Sequence, residues 1–122
     1  MIIDHLGIAI SDYERSKTFY SRALAPLGID LVMEVEGWCG LGRNAKPGFW
    51  FGEADRAHQP MHIAFLADNR QQVRDFYKAA LAAGAKDNGA PGIREIYHPD
   101  YYGAFIIDPD GHNIEAVCHH PE

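Results

Sequence analysis

The chain carries the same pattern twice, and this repeat limits the folds that it can adopt. A short apolar segment with a histidine near its start occurs at 2–10 and again at 61–67, and a polar break and a segment of helical period follow each one. Three pairs of equivalent residues are each 57 positions apart: His5 and His62, Phe19 and Phe76, and Leu24 and Leu81. A fixed period of this length indicates one supersecondary unit used twice. The two equivalent histidines also indicate a site shared by the units.

The first unit is predicted to have the order β-α-β-β-β. Alternation along 2–10 places His5 and Gly7 on an open face of a strand and the bulky aliphatic residues on the other face. Asp12 is a predicted N-cap, and the helix that follows is expected to end at Pro26 and Gly28. Three short strands with turns between them are predicted next, at 29–36, 38–43 and 48–53.

The second unit repeats this order. His62 is predicted on the open side of its first strand, opposite Ile63 and Phe65. Its helix is expected to end at Gly84, and the Asn-, Gly- and Pro-rich segment 88–92 is predicted to be a loop. Three further strands are predicted at 93–97, 102–108 and 112–118. A tight turn is predicted at Asp108-Pro109-Asp110-Gly111, with His112 facing solvent.

Length and composition indicate a single domain over 1–122, and the repeated unit makes it an α+β domain with module one at 1–57 and module two at 58–122. The 122 residues are 47% hydrophobic, which is enough for a compact core. A net charge of −6 argues against a nucleic-acid partner, and no apolar run is long enough to span a membrane. With no secretory signal, we expect a cytoplasmic protein whose Cys39 and Cys118 are free thiols.

The strongest candidate site combines residues from three strands. In the last strand, Glu115 shares the face of Asn113 and Val117, which is the open side that His5 and His62 also face. A carboxylate among apolar neighbours is costly unless it is paired or bound to metal. Two histidines and one carboxylate form a facial triad with open coordination positions, so the pattern predicts a divalent-metal site. The alternative is that each is an ordinary polar residue, with Glu115 paired to His5.

Several aromatic residues are candidates for the wall of a substrate pocket. They are Trp50, Tyr97, His98, Tyr101 and Tyr102. Ordinary packing on the sheet is an equally good explanation of their positions. Arg43 and Arg94 could hold an anionic substrate or could simply be solvated. The sequence offers no decisive general base, so the catalytic residues stay unknown.

These residues resemble a known family. The doubled unit, His5, His62 and the run Asp108-Pro109-Asp110-Gly111-His112-Asn113-Ile114-Glu115 look like the vicinal oxygen chelate superfamily, which includes glyoxalase I and bleomycin-resistance proteins. The resemblance implies two tandem modules whose curved mixed sheet surrounds a cavity, with helices on the outer face. It also implies a divalent metal (Zn, Ni, Mn, Fe or Co) held by His5, His62 and Glu115, and a homodimer.

One position departs from the glyoxalase pattern. Glyoxalase I has a fourth ligand, usually Glu, where this chain has Trp50. The resemblance therefore implies a small metal-dependent lyase, isomerase or related transferase whose substrate is chelated through vicinal oxygens. The alternatives are a thiol transferase of the fosfomycin-resistance type, an extradiol-type dioxygenase, and a metal-free protein that binds a drug or metabolite.

Overall fold

A computed structural model describes residues 3–54 and 59–122. The predicted boundary between the modules, at 57 and 58, and the first residue of the segment 2–10 lie outside this part of the chain. Within it, no helix is both long enough and apolar enough to cross a bilayer.

Two four-stranded sheets and two main helices form the fold, which confirms the predicted α+β class and the doubled β-α-β-β-β order. The first module contains β1 (Leu6–Ile10), α1 (Tyr13–Ala23), β2 (Asp30–Val35), β3 (Trp38–Arg43) and β4 (Lys46–Glu53). The second contains β5 (His62–Leu66), α2 (Arg70–Ala82), β6 (Lys86–Ile93), β7 (Tyr102–Ile107) and β8 (Asn113–Cys118). The first sheet has the order β1-β4-β3-β2 and the second the order β5-β8-β7-β6. Among the strand pairs of the described residues, β1–β4 and β5–β8 are parallel and the others antiparallel, so the two sheets have the same mixed topology.

Both helices begin at a side-chain cap. The carboxylate of Asp12 accepts from the backbone N–H of Arg15 at 3.1 Å, and Asn69 accepts from Gln72 at 2.8 Å. These bonds satisfy backbone donors of the first turn that have no partner within the helix. The predicted cap at Asp12 is thus confirmed.

The core lies between the sheets and the helices. Strand residues such as Ile8 and Phe51 pack on this side, and the opposite face of each sheet is left open. Phe19 is 2% exposed and Phe76 is fully buried, so the repeat predicted two equivalent core positions correctly. Both cysteines, Cys39 and Cys118, are buried free thiols, as expected.

The prediction was wrong around β6. Segment 88–92 was expected to be a loop but lies within β6, and the strand expected at 93–97 is a turn after Ile93. Two register shifts between β6 and β7 accommodate Gly89, whose φ is +148°, within the strand. β6 is an edge strand and Pro91 lies within the register shift between Gly89 and Gly92, positions at which a residue without an N–H is tolerated.

The turn between β7 and β8 joins the two modules, and His112 is buried there rather than facing solvent as predicted. The N–H of Met61 donates to His112 Nδ1 at 2.9 Å, and His112 Nε2 donates to the carbonyl of Ala9 at 3.1 Å. In the same turn, Asp108 accepts from the buried Tyr20 hydroxyl of α1. His112 is buried because the turn folds onto the other module, and local turn chemistry does not reveal that contact.

Candidate functional site

Glu115 and His62 form the centre of the candidate site on the open face of the second sheet. Glu115 is only 1% exposed, and its Oε1 lies 2.9 Å from His62 Nε2. The hydroxyl of Tyr101 donates to the other carboxylate oxygen, Oε2. Burial, together with the hydrogen bond to Glu115, raises the pKa of Tyr101 above its ordinary value, so this hydroxyl keeps its proton and stays a donor. Both carboxylate oxygens of Glu115 are therefore held in place.

β1 begins at Leu6, so His5 lies just before the first sheet and not, as the strand predicted at 2–10 implied, within it. Its Nδ1 is 2.7 Å from Asp4 Oδ1, and that hydrogen bond, aided by Lys46, lowers the pKa of the Asp4 carboxyl. One groove is lined by His5 and Leu6 and by four residues of β5, Ile63, Ala64, Phe65 and Leu66, so the start of β1 lies beside β5. His62 does not line this groove, and among the described residues His5 forms no group with His62 and Glu115 that could hold a metal ion.

The described residues, 3–54 and 59–122, contain no group of three His, Cys, Asp or Glu side chains that could hold a metal ion. Two members of the predicted triad, His62 and Glu115, are nevertheless in contact. They fit one side of a divalent-cation site, because an imidazole nitrogen and a carboxylate oxygen are both ligands for such ions. The side chain of His62 is 54% exposed, so a further ligand can approach it. The complete triad stays a prediction.

Trp50 occupies the position equivalent to Glu115. Gly7 pairs with Trp50 in the first sheet, and Ala64, which is 57 positions after Gly7, pairs with Glu115 in the second. Glu53 pairs with Ile10 instead, three residues further along β4. The first module therefore places an indole where the second places its carboxylate.

The other aromatic candidates do not all lie together. The ring of Tyr97 is 4.8 Å from that of Tyr101, and the ring of His98 is 5.5 Å from it, so both surround the residue that holds Glu115. Tyr102 lies on the helix side of β7, where the guanidinium of Arg70 is 5.0 Å from its ring centroid. The structure thus brings Tyr97 and His98 to the candidate site and places Tyr102 on the opposite face.

Sequence reasoning missed two contributors to the open faces. Trp38 lines a cavity of about 680 Å³ on the first sheet together with His5, Gly7 and Trp50. Its position two residues before Gly40 in the predicted strand 38–43 was the available signal, because alternate residues share a face. His119 Nδ1 lies 2.9 Å from His98 Nε2, and no sequence pattern singles out His119. Arg43, considered for anion binding, instead donates to the carbonyls of Leu27 and Leu66 and so connects the modules.

Solved structures of related proteins share this architecture. A glyoxalase/bleomycin resistance protein from Albidiferax ferrireducens T118 is 25% identical, with a TM-score of 0.84 over 97% of this chain and 99% of the other. A glyoxalase/bleomycin resistance protein/dioxygenase family enzyme from Burkholderia phytofirmans PsJN is 19% identical, with a TM-score of 0.74 over 97% and 98%. The oxidase ChaP-H1 is 18% identical, with a TM-score of 0.73 over 99% and 97%. A search of curated proteins found no match. Residues 2–116 match the family description, and the chain belongs to the Glyoxalase/Bleomycin resistance protein/Dioxygenase superfamily.

Proposed function

We propose that this protein is a metal-dependent enzyme whose small substrate binds through two vicinal oxygens. The observation that carries the proposal is the buried Glu115 carboxylate, which lies 2.9 Å from the accessible His62 imidazole and is oriented by Tyr101. A buried carboxylate is costly, and binding a cation together with His62 would offset that cost. Membership of the superfamily supports the same reading.

The metal site is proposed to be completed by a second copy of the chain. One protomer would supply His62 and Glu115, and the partner's His5 would supply the third ligand. The reason is that, among the described residues of one chain, His5 forms no group with His62 and Glu115 that could hold a metal ion. A homodimer with two-fold symmetry would form two such sites, because a contact made by one protomer is repeated by the other.

The side chains around the pair each have a defined task in this proposal. Zn, Ni, Mn, Fe or Co bound there would act as a Lewis acid toward the two substrate oxygens. Tyr101 keeps Glu115 in one orientation by donating to Oε2. Phe105 packs beside His62, with ring centroids 6.2 Å apart, and restricts the imidazole. Tyr97 and His98 form the wall next to Tyr101 and would exclude water from the substrate.

Metal titration of wild type and four variants tests the proposal. Isothermal titration calorimetry with Mn, Co, Ni and Zn is expected to give micromolar or tighter binding for wild type. His5→Ala, His62→Ala and Glu115→Gln should each weaken it at least about tenfold, which is about 1.4 kcal/mol. His120→Ala is the matched control, since His120 is exposed in the C-terminal tail. Analytical ultracentrifugation should show a dimer. Wild-type affinity in His5→Ala would contradict the shared site.

A second candidate is a metal-free protein that binds a drug or metabolite. The aromatic lining of the first-sheet cavity favours it, because Trp50 stands where a fourth carboxylate would be. The two functions differ in one measurement: a metal-free binder retains its full affinity for its ligand in EDTA, whereas the proposed enzyme loses both chelation and activity.

A further inference from the structure

The open face of the first sheet has an unusual composition. Glycines occupy its centre, at Gly7 in β1, Gly40 in β3 and Gly52 in β4. Gly40 pairs with Trp50 and Gly52 pairs with Trp38, so each tryptophan stands directly across from a glycine on the neighbouring strand. Paired residues of adjacent strands share a face, and both indoles therefore lie on the open side.

Both indoles lie flat against the backbone. A Cβ built at Gly40 would be 2.8, 2.9 and 2.9 Å from the Cη2, Cζ2 and Cζ3 atoms of Trp50. A Cβ at Gly52 would be 2.7, 2.8 and 3.0 Å from Cδ2, Cε2 and Cε3 of Trp38. A point nearly equidistant from three consecutive ring atoms lies over the face of the ring, since a point beyond its edge would be much closer to one atom. Each glycine thus makes room for the inner face of an indole.

Trp38 and Trp50 line the 680 Å³ cavity together with His5 and Val35. Since the inner face of each indole lies over a glycine, its outer face is the one available to the cavity. We call this surface, made by Trp38 and Trp50 over their glycines, the indole floor. Trp38 is 43% exposed and Val35 is 42% exposed, although large apolar side chains are normally withdrawn from water. The volume is within the range of pockets for small ligands.

We propose that the indole floor binds the planar conjugated ring of an aromatic substrate, lying parallel to the sheet. Offset stacking on an indole face is the favourable contact for such a ring, and it adds to the burial of apolar area. A quaternary ammonium ligand fits less well, because cation recognition uses aromatic walls set around the charge, whereas these indoles lie side by side on one sheet.

This inference rests on the proposed function for one point only, the placement of the substrate's vicinal oxygens. Trp50 is the positional equivalent of Glu115, and His5 lines the same cavity. A ring on the indole floor would therefore carry its oxygens toward the proposed metal ligand His5. The substrate class is then an aromatic ring with two adjacent oxygen substituents, and ring planarity, rather than the oxygens alone, sets specificity.

The floor can be tested without metal. The chain has two tryptophans, so intrinsic tryptophan fluorescence reports on the indole floor alone. Protein stripped with EDTA would be titrated with 4-nitrophenol, a planar quencher that lacks vicinal oxygens. Cyclohexanol is the non-planar control, and its binding would be measured by calorimetry. 4-Nitrophenol should bind and quench, and cyclohexanol should bind at least about tenfold more weakly.

Tryptophan and glycine variants test whether 4-nitrophenol binds on the indole floor. Trp38→Leu and Trp50→Leu should each weaken 4-nitrophenol about tenfold, whereas Trp50→Phe, which keeps a flat ring, should stay within about threefold of wild type. Gly40→Ala keeps both tryptophans but displaces the Trp50 indole, and it should weaken binding as well. Leu66→Ala is the control, because Leu66 is a large exposed apolar residue on the other sheet. Circular dichroism would verify folding of each variant.

A parallel experiment separates this inference from the proposed function. With Zn added, catechol and cis-1,2-cyclohexanediol present the same pair of oxygens on a planar and a non-planar ring, and catechol should bind at least about tenfold more tightly. If Zn strengthens both ligands equally and the tryptophan variants change neither, the indole floor is refuted and the metal function stands. If 4-nitrophenol behaves as expected but Zn strengthens neither diol, the floor stands and the metal function is refuted.

Discussion

At the scale of single residues, the hydroxyl of Tyr101 holds the Glu115 carboxylate in one orientation. This hydroxyl donates to a carboxylate that is 1% exposed. Tyr101→Phe removes the donor and leaves Oε2 of a buried anion without that bond. Hydrogen bonds to charged groups contribute about 1.5–3 kcal/mol, so we expect unfolding in urea to be easier by about that amount. The chemical denaturation midpoint measures it.

Tyr97→Phe is the matched control for Tyr101→Phe. Tyr97 lies beside Tyr101 but is 62% exposed, and surface substitutions of this kind usually change stability by less than about 0.5 kcal/mol. Equal stability of wild type and Tyr101→Phe would show that the bond to Glu115 contributes nothing in solution.

At the scale of elements, the repeat makes a quantitative prediction about α1 and α2. Phe19 and Phe76 occupy equivalent buried positions on the two helices. Truncating either to Ala should lower the free energy of unfolding by about 3–5 kcal/mol, the usual cost for a core phenylalanine. Chemical denaturation of the two variants measures the loss. The repeat implies that the two positions contribute about equally to stability, and a loss below about 1 kcal/mol at one of them would contradict this.

The sequence predicted these elements unevenly, for physical reasons. Asp12 and the apolar stripe around Phe19 are local signals, and α1 follows from them. β6 carries Gly89 and Pro91, which normally break strands, and it exists because β7 offers a partner that tolerates two register shifts. Such pairing is a tertiary effect that overrides local propensity. The contribution of Trp38 to the open face was missed because it depends on Gly52, the residue that pairs with Trp38 from another strand.

At the scale of the whole molecule, the repeat alone was enough to predict two matching modules, but not how they join. The link between Tyr20 and Asp108 and the burial of His112 involve residues about 90 to 100 positions apart, and no local pattern encodes them. The same limit applied to the prediction of the candidate site. Alternation put His62 and Glu115 on one face correctly, whereas the position of His5 relative to them depends on how β1 and β5 lie together.

The junction between the modules should weaken at alkaline pH. Burial, followed by the nearby Asp108 carboxylate, raises the pKa of Tyr20 well above its ordinary value of 10.0. Above pH 10 the unfolded chain loses the Tyr20 proton while the folded chain keeps it, so the folded state becomes less stable as pH rises. The slope from this residue approaches about 1.4 kcal/mol per pH unit. Urea denaturation between pH 9 and about 11.5 should show a flatter dependence in Tyr20→Phe. Identical slopes would exclude Tyr20 as a contributor.

The chemistry of the assembled molecule should differ from that of a glyoxalase because of Trp50. Trp50 stands at the position equivalent to Glu115, so the proposed site has one carboxylate instead of two. A second carboxylate would reduce the positive charge of the site and could move a substrate proton, and an indole does neither. We therefore expect little or no isomerisation of methylglyoxal with glutathione when Ni, Co or Zn is supplied. An enzyme with Glu at this position is the positive control for the assay. Turnover in the ordinary enzyme range, about 1–1000 per second, would mean that another carboxylate takes the role of the missing ligand, and Glu53→Gln would then identify or exclude the nearest one in β4.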